Sequence, residues 1–171
     1  MTNKPRSIGT RGESAVVKFL RTNGFPAAER AALHGSADAG DITGTPGVCW
    51  EVKSGKAAEA CADGDLATWL AQTETERQNR QADVGVLITK RKGAGHGNAG
   101  AWWAWLPLSQ IFFGALTELA ELERIPVRLT LADVTWLLRD AGYGDPVADN
   151  DMPTDEKTPT TKGHSDERAR D

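Results

Sequence analysis

The chain has 171 residues, with 20 Lys and Arg, 24 Asp and Glu and 3 His, for a net charge of -4. Its length suits one domain with a tail, large enough for a core without disulfide or metal support. Two cysteines form neither a disulfide framework nor a Cys-x-x-Cys metal site. No apolar run reaches the ~20 residues of a membrane span, and the N-terminus lacks an apolar signal region, so we expect a soluble, cytoplasmic protein with no membrane partner.

The negative charge is confined to the C-terminal tail. Residues 1–144 hold 16 basic and 16 acidic residues, whereas residues 145–171 hold 4 and 8. The body is therefore neutral, and cations bound to its carboxylates would leave Arg and Lys side chains available for phosphates. The tail has almost no large apolar residues, which predicts that residues 145–171 are disordered.

The first predicted element is a helix that begins at Thr10, because Thr10-x-x-Glu13 fits a capping box and apolar residues follow at helical spacing. Asn23-Gly24-Phe25, followed by a proline, ends this helix. A strand should then run from about Glu29 to Leu33.

A β-hairpin is predicted next, after the polar loop of residues 34–40. Asp41-Ile42-Thr43 and residues 48–53 have strand character, and the Gly and Pro residues of 44–47 indicate a tight connection. The hairpin would bring Asp41 beside Glu51. A strand's period of two would place Glu51 and Lys53 on one face, and Trp50 and Val52 on the other.

The remaining predicted elements complete an α/β fold with a mixed sheet flanked by helices. Residues 1–108 would form the core, and residues 109–144 a C-terminal helical extension packed on it. The predicted elements are a helix over Leu66–Gln81, strands over Val84–Thr89 and Ala101–Leu106, and helices over about Ser109–Glu123 and Leu131–Ala141, the last with the capping signal Thr130-x-x-Asp133.

Asp41, Glu51 and Lys53 together are the minimum set for metal-assisted phosphodiester hydrolysis. An acidic-x-Lys match is expected roughly once by chance in a chain of this length, so the hairpin context carries the hypothesis. The alternative is a solvated strand face with weak cross-strand pairs, with Asp41 closing an Asx turn. In the functional interpretation, Lys53 positions or deprotonates the attacking water or neutralises charge on the phosphorane.

Glu13 also has two interpretations. It would either close the capping box at Thr10 or project toward the hairpin carboxylates and help to hold a metal ion or its water.

Several basic residues are candidates for phosphate contact, although solvated charge is the usual explanation for each. No His/Cys spacing supports a zinc site, and packing explains the six tryptophans better than base stacking. The candidate DNA-binding residues are Arg11, Arg30, His34, Lys56, Lys90, Arg91 and Lys92.

These motifs, in this order, resemble the PD-(D/E)xK nuclease superfamily. The segments Gly12-Glu13, Asn23-Gly24-Phe25, Glu29-Arg30, Gly40-Asp41-Ile42 and Glu51-Val52-Lys53 look most like phage-encoded Holliday-junction-resolvase-like nucleases. The likeness covers residues 9 to about 108. Two features depart from the pattern: Gly40 replaces the superfamily's Pro, and a following-helix Gln matches only loosely to Gln72 or Gln78.

The resemblance implies a restriction-endonuclease-like fold and a Mg²⁺-dependent endonuclease, with Mn²⁺ as a substitute and no small-molecule cofactor. Asp41, Glu51, the Val52 backbone carbonyl and Glu13 would hold the metal, and Lys53 would serve the water. The expected enzyme is a homodimer that cuts branched DNA to 5′-phosphate and 3′-hydroxyl ends, in the host cytoplasm if phage-encoded. The alternatives are a nuclease for linear, flap or fork DNA, and a non-catalytic DNA-binding or interaction module.

Overall fold

A computed structural model describes residues 4–31, 39–111 and 125–146, with side chains from residue 7 onward. Its regular elements are α1 Lys4–Thr22, β1 Glu29–Arg30, β2 Ile42–Thr43, β3 Val48–Lys53, α2 Lys56–Ala60, α3 Asp63–Arg80, β4 Val84–Thr89, β5 Trp103–Pro107, β6 Pro126–Thr130 and α4 Leu131–Asp140. Short 3-10 turns span His96–Ala101 and Leu108–Gln110.

The strands form one six-stranded sheet in sequence order from β1 to β6. β3 and β4 are parallel, with Val48 opposite Val84 and Lys53 opposite Thr89, and every other neighbouring pair is antiparallel. The predicted α/β fold with a mixed sheet and flanking helices is therefore confirmed.

The hydrophobic core lies on one face of this sheet, beneath α1 and α4. Trp50 and Val52 from β3 pack there with Val16 and Leu20 of α1 and with the buried side of α4. Trp50 is fully buried, and its indole N–H donates to Thr45 Oγ1 at 3.2 Å. Since strand side chains alternate, the same register turns Glu51 and Lys53 to the opposite face, which α3 covers.

The prediction for the start of α1 is wrong. Thr10 lies inside the helix, which begins at Lys4, so Glu13 is not a capping residue. The capping signal at the other end of the chain is confirmed, because Thr130 and Asp133 form a reciprocal capping box at α4.

The region after Pro107 contains a strand that sequence patterning did not reveal. β6 pairs with β5 over five residues, from Trp103 opposite Thr130 to Pro107 opposite Pro126. Within the predicted helix Ser109–Glu123, residues 112–123 lie outside the described part of the chain, as do Leu33, His34 and residues 147–171 of the predicted tail.

Other differences are smaller. The strand predicted from Glu29 to Leu33 is observed as Glu29–Arg30, and its last two predicted residues lie outside the described part of the chain. The polar stretch before Leu66 contains α2 and the first turn of α3. Of the six tryptophans attributed to packing, Trp69 and Trp136 are only half-buried. No helix in the described ranges is long and apolar enough to cross a bilayer.

Candidate active site

The backbone at Asp41 is fixed by a glycine on one side and by β3 on the other. Gly40 has φ +87°, and a Cβ built on it would lie 2.8 Å from Cys49 Sγ and 3.0 Å from the Trp50 carbonyl oxygen. A side chain is therefore excluded both by conformation and by space, and proline cannot adopt this φ. The Asp41 N–H donates to the Trp50 carbonyl at 2.8 Å, which holds Asp41 at the edge of β3.

The Asp41 and Glu51 carboxyl groups lie near each other, with Glu51 buried and Asp41 partly buried. Asp41 Oδ2 accepts the Val52 N–H at 2.8 Å, and the Glu51 carboxyl lies near enough to interact electrostatically with Asp41. Burial, with repulsion from Glu51 as the next cause, raises the pKa of Asp41 to about 8. Burial also raises the pKa of Glu51 to about 7, against the lowering effect of Lys53. Two carboxyls that resist losing both protons form a site in which a cation would replace the protons.

Lys53 belongs to a ring of polar side chains beneath this carboxyl pair. Its ammonium pairs with Glu51 and donates to Gln72 Oε1 at 3.0 Å. Gln72 Nε2 in turn donates to Glu76 Oε1 at 2.7 Å. Glu76, which is 1% exposed, lies near enough to Glu51 to contribute to the raised pKa of Glu51. We call Glu51, Lys53, Gln72 and Glu76 the polar ring.

Sequence reasoning missed Glu76 and left Gln72 as a loose match. The available signal was their spacing, since residues four apart lie on the same side of a helix. What the sequence could not supply was the rotation of α3, which turns this side toward β3.

Glu13 approaches the carboxyl pair from α1 because the helix lies unusually close to the end of β3. A Cβ on Gly12 would lie 2.6 Å from Ser54 Oγ, and this hydroxyl donates to the Ile8 carbonyl at 3.0 Å. Glu13 Oε2 accepts from Arg30 at 2.7–2.8 Å, and its charge contributes to the raised pKa of Asp41. Glu13 thus faces the site while it is neutralised by Arg30.

The donor set partly fits a hard divalent cation. Because the N–H and C=O of one strand residue point to the same side, the Val52 carbonyl shares with its N–H the edge that faces Asp41. Two carboxylates and a carbonyl are oxygen donors of the kind that Mg²⁺ binds. Within the described ranges, however, no group of three or more acidic, His or Cys side chains is close enough to hold a metal ion. Glu13 would have to leave Arg30 to become a direct ligand.

The predicted DNA-binding residues lie on more than one part of the surface. Arg11 is exposed on α1, and its Nε donates to the Ser7 carbonyl at 3.3 Å. Lys90 pairs with Glu59 of α2. Arg91, Lys92 and Lys56 are exposed, whereas His34 lies outside the described residues.

A groove of about 1140 Å³ lies along α3, away from these residues. Leu66 and Leu70 line it together with Val84 and Gly85, at the start of β4. Lys53 lies beside Thr89, at the other end of β4. This groove is therefore separate from the carboxyl pair.

Comparisons with protein-family models, curated proteins and solved structures find no match for this chain.

Proposed function

We propose that this protein is a metal-dependent endonuclease that hydrolyses phosphodiester bonds in DNA, built on a restriction-endonuclease-like variant of the observed mixed sheet. The observation that carries the proposal is the placement of Asp41 at the edge of β3, where its carboxyl accepts the Val52 N–H and lies near the Glu51–Lys53 ion pair. Holding one buried and one partly buried carboxyl beside a partly buried ammonium, without a ligand, is unfavourable, which argues for a binding or catalytic role.

In the proposed site, Asp41, Glu51 and the Val52 carbonyl hold Mg²⁺ or Mn²⁺. A bound divalent ion would supply an activated water and shield charge on the phosphate oxygens. The Lys53 ammonium, oriented by the Gln72 carbonyl oxygen, donates to the attacking water or to a phosphate oxygen. Glu13 supports the site from α1, either through a metal-bound water or through its pair with Arg30.

The preferred substrate in this proposal is branched DNA, cut as a Holliday junction by a homodimer to leave 5′-phosphate and 3′-hydroxyl ends. Two copies of the site, related by a two-fold axis, suit paired nicks in a symmetric junction. Junction preference rests on the sequence resemblance alone, whereas phosphodiester chemistry also has the carboxyl pair and Lys53 in its support.

The test is cleavage of a labelled four-way junction and a matched linear duplex, with Mg²⁺ or with EDTA. We expect paired Mg²⁺-dependent nicks in the junction, lost in Asp41→Asn and Glu51→Gln and slowed about 100-fold or more in Lys53→Met. Asp140→Asn is the matched control, because Asp140 is exposed at the end of α4. Cutting of both substrates would retain the nuclease and remove the junction preference.

A second candidate is a DNA-binding module that does not cleave. It is favoured by the ion pairs that already neutralise Glu51 and Glu13 in the described structure. Salt-dependent DNA binding without a metal-dependent product, under conditions in which a known nuclease is active, would establish this alternative.

A further inference from the structure

Two arginines and two tryptophans form an exposed patch on β5, β6 and the turn after β4. The Arg91 guanidinium carbon lies 4.2 Å from the centroid of a Trp103 ring, and that of Arg128 lies 4.5 Å from Trp103 and 5.4 Å from Trp105. These are cation–π distances. Both arginines are exposed, and both tryptophans are half-buried. We call these four residues the Trp–Arg patch.

The patch lies on the same face of the sheet as Lys53. Lys53 is opposite Thr89, and Thr89 is opposite Trp103. Similarly, Glu51 is aligned with Trp105 through Leu87, and Trp105 is opposite Arg128. Two strand spacings, about 10 Å, therefore separate the backbone of Lys53 from that of Trp103.

Within the described ranges, neither Arg91 nor Arg128 forms an ion pair with a carboxylate. The cations that pair there with carboxylates are Arg21, Arg30, Lys53, Arg77 and Lys90. Arg91 and Arg128 instead stack on indole rings, which restricts their motion and leaves their N–H edges available to an anion. Lys56 and Lys92 are exposed and extend the positive surface. The pKa of Glu59 on the neighbouring helix α2 is lowered chiefly by its hydrogen bond with Lys90, and the charges of Lys92 and Lys56 add to this effect.

Packing alone does not explain this arrangement. Trp105 has a clear structural role, because its indole N–H donates to Thr89 Oγ1 at 2.9 Å. Packing of Trp103 on the sheet would not require two cations against the same side chain. Because two guanidiniums already lie at stacking distance from Trp103, the matching ligand is a phosphate backbone rather than a stacked base.

We propose that the Trp–Arg patch holds DNA phosphates that flank the phosphate at Lys53, with Trp103 as the positioning residue for Arg91 and Arg128. This inference rests on the proposed function, since it takes the same DNA as its ligand. It adds Arg128 and Trp103 to the interface and assigns Arg91 a partner. It also gives β6 a role, as the strand that presents Arg128 to the substrate.

The experiment measures the affinity of the full chain for a fluorescent four-way junction at several salt concentrations, with Ca²⁺ in place of Mg²⁺. We expect Arg91→Gln and Arg128→Gln each to weaken binding several-fold and to reduce the slope of log K against log salt by about 0.9. Trp103→Leu should weaken binding although the charge is unchanged, provided that its melting temperature stays close to that of the wild type. Lys18→Gln is the control, because it removes one exposed charge from α1, which packs on the opposite face.

A second measurement uses Cys61 as a reporter of the patch. The Cys61 thiol is partly exposed, whereas Cys49 is buried, and Cys61 lies close enough to Thr89 and Arg128 for both to affect its pKa. Bound junction DNA should slow alkylation of Cys61 in the wild type several-fold and have little effect in the Arg91→Gln, Arg128→Gln double variant.

The outcomes separate this inference from the proposed function. If the wild type cleaves DNA but the two arginine variants bind with its affinity and salt slope, the patch is not an interface and the nuclease assignment stands. If the wild type binds without cleaving while those variants bind weakly, the interface stands and the nuclease assignment fails.

Discussion

At the scale of single residues, Asp41 combines two incompatible requirements. Its position at the edge of β3 is fixed by backbone hydrogen bonds, yet its carboxyl is partly buried near Glu51, and this burial, with repulsion from Glu51, raises its pKa to about 8. A carboxyl with a raised pKa binds its proton more tightly in the folded chain than in the unfolded chain. Its contribution to stability is therefore fully present below its ordinary pKa near 4 and is lost as the pH rises toward 8.

Replacing Asp41 by Asn should stabilise the metal-free protein while it abolishes cleavage. Asn keeps an oxygen that can accept the Val52 N–H but removes the buried charge. We expect a gain of about 1 kcal/mol at pH 8, or about 2–4 °C in melting temperature, and almost no gain at pH 4. Differential scanning fluorimetry in EDTA would measure it, and an equal shift at both pH values would exclude the electrostatic cause.

Divalent ions should remove much of this pH dependence in the wild type. Metal binding requires deprotonated carboxylates, so each ion bound below pH 8 releases protons. Ca²⁺ at a fixed concentration should therefore raise the melting temperature more at pH 8 than at pH 5.5, and it should have no effect on Glu51→Gln. Calorimetry in two buffers of different ionisation enthalpy would count the protons released, and zero at pH 6.5 would contradict the proposed ligands.

Gln72 is expected to position Lys53 without contacting the substrate. Its amide accepts from Lys53 and donates to Glu76, so it fixes the ammonium from the side of α3. Gln72→Leu should lower kcat about 10-fold or more with little change in KM, whereas Gln78→Leu should have no effect, because Gln78 is exposed on the same helix and contacts Glu74. A change confined to KM would instead indicate a substrate contact.

The local part of the candidate site was predictable from the sequence, and the tertiary part was not. Asp41, Glu51 and Lys53 belong to one hairpin, whose turn residues and strand period fix their neighbourhood. Glu76 and Arg128 reach the same face from α3 and β6, and their placement depends on packing that no local pattern encodes.

At the scale of elements, α1 shows that the spacing of apolar residues can identify a helix correctly while its first residue is predicted wrongly. The apolar spacing predicted the buried side of α1, but Thr10-x-x-Glu13 also occurs by chance within helices, and here the helix continues upstream to Lys4. That upstream turn is required by the site, because the Ile8 carbonyl accepts the Ser54 hydroxyl and so ties α1 to the end of β3.

Gly12→Ala should disturb this junction. The added Cβ would lie 2.6 Å from Ser54 Oγ and 2.7 Å from Ser54 Cβ, so α1 or the end of β3 must shift, at a cost of about 1–3 kcal/mol. Gly64→Ala is the matched control, since Gly64 is also helical but has no atom within 4 Å of its Cβ position, and it should stabilise by about 0.5–1 kcal/mol. Urea denaturation would measure both changes. Equal stabilisation by the two substitutions would contradict the close contact between α1 and β3.

β6 was missed because its signal is short and begins with proline. Pro126 favours a loop or an edge strand over a central one, and β6 is indeed the edge of the sheet. The alternation of apolar and polar residues over Val127, Arg128 and Leu129 is only three residues long, too short to indicate a strand by itself. The strand forms because β5 pairs with it.

At the scale of the whole molecule, most of the net negative charge lies in the C-terminal tail, whereas the body that would bind DNA is nearly neutral overall. Residues 147–171 contain 4 basic and 7 acidic side chains, a net charge of -3. The folded part continues at least to Pro146, since Arg139 donates to the carbonyls of Asp145 and Pro146 and the Asp145 N–H donates to Gly24. A truncation intended to isolate the tail should therefore follow Pro146.

Truncation after Pro146 should leave the melting temperature within about 1 °C of the full chain and strengthen DNA binding at low salt, because it removes net negative charge that competes with phosphates. The gain should shrink as salt rises, since the Debye length falls to about 3 Å at 1 M. Truncation after Gly142 is the contrasting variant. It deletes Tyr143, which packs on the core and donates to Asp83 at 3.4 Å, and should lower the melting temperature by several degrees. If loss of residues 147–171 weakened DNA binding instead, the tail would be part of the interface rather than a competitor for it.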